Sequence, residues 1–106
     1  MGRIVIVCYR PLPGKADELR RLVHAHHDRL QAEGLVTQRA PVVMEAANGS
    51  IIEVFEWESR EAIERAHHNS AVSAMWQEFA AACEYVPVAD VPEASELFSE
   101  FVPLVS

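Results

Sequence analysis

Asn48-Gly49-Ser50-Ile51-Ile52-Glu53-Val54-Phe55-Glu56-Trp57, residues 48–57, opens on a dipeptide that favours a tight turn and runs on in β-branched and aromatic side chains. Upstream, Leu35 to Glu45 reads as a second strand broken by Pro41. The two runs predict a β-hairpin whose outgoing arm is a third strand from Ser50 to Trp57. Alternation along that arm sets Ile51, Glu53, Phe55 and Trp57 on one side and Ile52 and Val54 on the other.

Working outward, Ile4 to Tyr9 is almost continuously apolar, which predicts a strand buried on both faces, and Pro11-Leu12-Pro13-Gly14 stops it. A first helix begins beyond Gly14 with Asp17 and Glu18 in its first turn and ends at Gly34. Leu19, Leu22, Val23, His26 and Leu30 form its apolar stripe, which puts His26 in the middle of the buried face. Past the hairpin, Ser59 caps a second helix from Arg60, with Ala62, Ile63 and Ala66 on its apolar side. Asn69-Ser70 interrupts that helix with a fresh cap. It resumes from about Ala71 to Cys83, carrying Val72, Met75, Trp76, Phe79 and Cys83 on one face. Pro87 and Pro92 hold a linker open until a last strand, about Glu96 to Leu104.

The order predicts an α+β, ferredoxin-like β-α-β-β-α-β fold, a four-stranded antiparallel sheet with both helices on one face. Apolar residues on the opposite face of strands one and three need a cover of their own. A two-fold homodimer with sheets packed face to face supplies it. The 106 residues fit one domain, 1–106, and half of them are hydrophobic. A formal charge of −7 opposes nucleic acid and anionic membrane surfaces as partners. No apolar window is long enough for a transmembrane helix, and the N-terminal run is too short for a signal peptide. Cys8 and Cys83 read as buried reduced thiols of a cytoplasmic protein, with a lone disulfide or a reactive thiol as the alternatives.

Two titratable groups fall on these apolar faces. Glu53 shares a strand face with Phe55 and Trp57, and His26 sits in the first helix's stripe; each is costly to bury without a polar partner. The least costly arrangement is one shared cavity, in which the carboxylate's charge and desolvation pull the histidine in opposite directions and leave it suited to general-base work. His67 lies at the edge of its helical stripe, within reach of the same space. Each has a structural alternative: an interface carboxylate paired with an arginine of the partner for Glu53, a core histidine bonded to a carbonyl for His26, plain packing for Trp57. The five histidines do not complete a ligand pattern, so no metal is expected.

Tyr9-Arg10 leading to Pro13-Gly14-Lys15, Phe55-Glu56-Trp57-Glu58-Ser59 running into a helix, and Ala66-His67 followed by Asn69-Ser70 resemble the dimeric α/β-barrel proteins. That family includes the antibiotic biosynthesis monooxygenases and the haem-degrading monooxygenases. The resemblance spans nearly the whole chain and implies a homodimer that handles a small aromatic molecule. In such enzymes a quinol or anthrone loses a proton and its carbanion reacts with oxygen, with no metal or flavin cofactor. Trp57 looks like the family's pocket tryptophan and His67 like its helix-two histidine. The family's strand-one asparagine falls near Val7, and its second helix-two histidine is Val72 here. His67, Glu53 and His26 are thus the candidate proton-handling residues, and Trp57, Tyr9, Phe55 and Trp76 the candidate substrate contacts. The alternative reading is a non-catalytic homodimer that binds a small hydrophobic ligand or serves in stress physiology.

Overall fold

In a computed structural model of the chain, which describes residues 1–104, the hairpin closes around Gly49, whose φ of 90° is one that a side chain would strain. The Ala46 amide donates to the Ser50 carbonyl at 2.8 Å, and the Asn48 side chain accepts from the Ser50 amide at 3.0 Å. The arms are β2 (Val42–Glu45) and β3 (Ile51–Trp57), paired antiparallel from Val42 opposite Val54 to Glu45 opposite Ile51. The expected second strand is therefore shorter than Leu35–Glu45. Val36 makes only an isolated bridge to Trp57, with Thr37 donating to the Glu56 carbonyl, before the chain loops out through Pro41 to rejoin β3.

β1 (Arg3–Pro11) pairs along the other edge of β3, and α1 (Ala16–Ala32) follows it with Asp17 and Glu18 in its first turn. α2 (Arg60–Ala66) and α3 (Ser70–Ala82) start on side-chain caps, Ser59 accepting from the Ala62 amide and Asn69 from the Val72 amide. Among the described residues the α-helices thus number three, the break falling at the cap read from the sequence. All three pack on the sheet face that carries Tyr9, Ile51, Phe55 and Trp57, with Leu19, Leu30, Met75 and Phe79 fully buried between them.

The last strand departs from expectation. α3 passes without a loop into β4 (Cys83–Val86), which pairs with the outer edge of β1, Tyr9 opposite Tyr85. The alternating run at 96–104 contributes only β5 (Val102–Pro103), a two-residue strand on the far edge of β2. The sheet is accordingly an open antiparallel one of five strands, in the order β4-β1-β3-β2-β5, and not of four. Leu97 and Phe98 in the expected strand are 93% and 80% exposed; the edge of β1 that they needed is already occupied by β4.

The sheet face away from the helices is covered along part of its length. Two 3-10 turns, Val88–Asp90 and Pro92–Ser95, bring Val91 over Cys8 and Ile52, with Val86, Met44, Ala94 and Phe101 around them. Glu93 fastens this segment to the hairpin by accepting from the Ala47 amide at 2.7 Å. The rest of that face is bare: Ile4 and Ile6 are 59% and 56% exposed and Val42 is similarly open, so β1 is not buried on both faces throughout. No helix among the described residues is long and apolar enough to cross a membrane. Of the expected domain, Val105 and Ser106 lie outside the described residues.

Candidate functional site

The helix-side face of β1 and β3 does not close completely. Between it and the helices lies a cavity of about 380 Å³, within the size range of small-molecule sites. Phe55 and Trp57 of β3, Trp76 of α3 and Tyr85 of β4 give it an aromatic lining. Val5, Val7 and Ile63 complete the apolar part, and Tyr9 and His26 bring polar atoms to it. Among the described residues no Lys, Arg, Asp or Glu side chain lines the space.

Behind this lining sits Glu53, 0% exposed. Its Oε1 accepts from the Tyr9 hydroxyl at 2.7 Å and lies 2.8 Å from His26 Nδ1. Three elements supply the cluster, β1, α1 and β3, and the reason each side chain points inward is visible in the periodicity. Tyr9 and Glu53 lie on the same face of an antiparallel pair in which Val7 is opposite Glu53, and His26 follows Leu19, Leu22 and Val23 on the stripe of α1. Aromatic rings hold the imidazole. Phe55 and Phe79 meet it edge-on at 5.3 and 5.2 Å between centroids, and Tyr9 stacks on Phe79 at 5.2 Å.

The Glu53 Oε2 atom is buried and has no hydrogen-bond partner among the described residues. A carboxylate placed this deep is costly, and the two short hydrogen bonds offset part of that cost. Burial, and next the Glu53 charge, push the Tyr9 phenol well above its ordinary value, so the hydroxyl keeps its proton and acts as donor. Tyr85, at the cavity edge 5.5 Å from Tyr9, is pushed up to about 12, chiefly by burial.

Of the sequence candidates, the structure brings together His26, Glu53, Tyr9, Phe55, Trp57 and Trp76. His67 is not among the lining residues. It caps the C-terminus of α2, is exposed, and meets the Trp76 ring edge-on at 5.2 Å. The reason lies in the end of the helix: His67 follows the lining residue Ile63 by four and shares its side, but it stands at the C-cap, beyond the last turn of α2 and against the Trp76 ring, where it stays exposed. Sequence reasoning passed over Val5, Val7, Ile63 and Tyr85 as lining. The first two share a strand face with Tyr9 at period two and were legible that way; Tyr85 stands on the strand that went unrecognised.

His27, next to His26, is also buried, but its Nε2 lies 3.1 Å from the Thr37 carbonyl, which makes it a satisfied core histidine. Cys8 and Cys83 are both free and buried, on opposite faces of the sheet, which rules out a bond between them in this fold. Burial raises both thiols, Cys83 to about 11. Among the described residues no three His, Cys, Asp or Glu side chains converge in a way that suits a metal ion. Compared with protein-family models, with curated proteins and with solved structures, the chain finds no match.

Proposed function

We propose that the protein is a cofactor-free monooxygenase acting on a small aromatic substrate of the quinol or anthrone type, with the Glu53–His26 pair as proton acceptor. The observation that carries this is a histidine on an otherwise apolar, aromatic-lined cavity whose far side is held by a buried carboxylate at 2.8 Å. A carboxylate behind a histidine orients the ring and stabilises the imidazolium formed when it takes a proton. In an anthrone, the acidic CH2 hydrogen passes to His26 and the carbanion delivers its electrons to dioxygen. Overall, CH2 and O2 give a carbonyl and water: one oxygen atom enters the substrate, the other leaves as water, and the substrate supplies every electron. Phe55, Trp57 and Trp76 suit a flat aromatic body, and the lack of a charged side chain in the lining suits an uncharged one. The role goes to His26 rather than to the exposed His67.

The first four strands run β4-β1-β3-β2, which we read as a ferredoxin-like sheet lengthened at one edge by β5. The bare apolar strip of Ile4, Ile6 and Val42 supports a homodimer with sheets face to face, the dimeric α/β barrel of the sequence resemblance. Free buried thiols fit a reducing compartment, the basis for a cytoplasmic setting.

The test is oxygen uptake with a panel of quinols and anthrones. We expect turnover by the intact protein without added metal or flavin, and a loss of ~10²-fold or more in both His26→Ala and Glu53→Gln. Turnover that survives both substitutions sinks the assignment of the base. The non-catalytic ligand-binding reading draws on Val7, an aliphatic side chain on the cavity where the family's asparagine would hold a substrate oxygen. Saturable binding of the same compounds with no oxygen uptake above the uncatalysed rate would decide in its favour.

A further inference from the structure

Tyr9 and His26 both place a polar atom on the same oxygen of Glu53, and the other oxygen has no partner among the described residues. That asymmetry bears on where the protons lie. The Tyr9 hydroxyl has no other partner among the described side chains, so it donates to Oε1. Oε1 serves as an acceptor to the phenol, and it serves the imidazole in the same way when His26 Nδ1 carries the hydrogen. The nitrogen across the ring, Nε2, is then the one left without a proton in the neutral imidazole, on the residue that lines the cavity.

We infer that Tyr9 is a positioning residue: by filling a lone pair of Glu53 Oε1 it holds His26 in the tautomer that offers a bare Nε2 to a ligand in the cavity. Without the phenol hydroxyl, Oε1 keeps only one donor. A proton taken up from solvent on Glu53 Oε1, which then donates a hydrogen bond to Nδ1, becomes the competing arrangement; the ring's own hydrogen then sits on Nε2, facing the cavity, and no bare nitrogen is left there. The consequence for turnover rests on the oxygenase reading above; the tautomer does not.

The molecule contains its own control. His27, one residue on, has Nε2 against the Thr37 carbonyl, an acceptor that takes no proton, so its tautomer is the opposite one, Nε2–H. Ring-nitrogen NMR on protein labelled with 15N-histidine, at a mildly alkaline pH where free imidazole is neutral, reads both at once. We expect Nδ1–H at His26 and Nε2–H at His27 in the wild type. In Tyr9→Phe, which keeps the ring stacked on Phe79, His26 shifts toward Nε2–H and His27 stays unchanged. Nε2–H at His26 in the wild type overturns the inference whether or not the variant folds, and so does an unmoved tautomer in a folded Tyr9→Phe. In the oxygen assay Tyr9→Phe should lower kcat by about tenfold or more and leave KM within about twofold, the pattern of a residue that serves the base and not binding. Absent turnover in the wild type would count against the oxygenase reading alone, because the nitrogen spectra need no substrate.

Discussion

The two faces of the sheet are closed by different means. On one, three helices, two of them started by side-chain caps, lay apolar stripes over the strands, and residues such as Phe79 and Leu19 are fully buried. On the other, an irregular segment with two 3-10 turns covers Cys8 and Ile52 and stops short of Ile6, two residues from Cys8 on the same face. Strand alternation therefore decides burial on the helix side, whereas position along the strand decides it on the back. The aromatic-lined cavity and the buried polar cluster both lie on the helix side. The back has a cover but no polar network.

The comparison breaks first, and with the largest effect, at Phe79. Phe79→Ala removes a ring that touches both Tyr9 and His26, so we expect a loss of ~3–5 kcal/mol in denaturant unfolding. A loss under about 1 kcal/mol would mean that the helix-side core is not packed as described.

A smaller effect comes with alkali and involves both faces. Cys83 on the helix side and Cys8 on the back are raised above their ordinary values mainly by burial. The fold favours their neutral forms. The stability they lend is complete below the ordinary thiol value of 9.0 and is lost as pH climbs through the raised ones, about 11 for Cys83. Melting temperature should hold to about pH 9 and fall steadily above it, and a flat profile into stronger alkali would contradict the burial of these groups.

The smallest effect on the folded chain belongs to the bare strip. Ile6→Ser should change the stability of a monomer by no more than about 0.5 kcal/mol, because the side chain is more than half exposed. If the sheets pair, the same substitution abolishes assembly in sedimentation at micromolar concentration, and a wild type that sediments as a monomer removes the dimer altogether.

The hairpin at Gly49, the caps at Ser59 and Asn69 and the stripe of α1 were legible because each rests on a local rule with a periodicity or a side-chain hydrogen bond behind it. The meeting of Glu53 with His26 was legible too, since two buried polar groups on facing apolar surfaces have few other ways to be satisfied. β4 was not, because α3 runs into it with no glycine or proline between Ala82 and Cys83. The alternation at Leu97–Phe101 imitated a strand whose pairing edge was already taken, and pairing is a property of the whole sheet. For His67 the misleading signal was the family motif: its phase matches the lining residue Ile63, but α2 ends before it and leaves it exposed at the C-cap.

The hydrogen bonds that satisfy Glu53 come from residues 44 and 27 positions away in the chain. No local segment can assemble them, so the carboxylate finds its donors only after β1 has zipped onto β3 and α1 has docked. Until then its charge favours water, which couples the formation of the site to long-range contacts. The same coupling runs in reverse. An opening of β1 or α1 large enough to admit solvent releases the carboxylate, so slow hydrogen exchange at the centre of β3 would report the integrity of the site as directly as any assay of turnover.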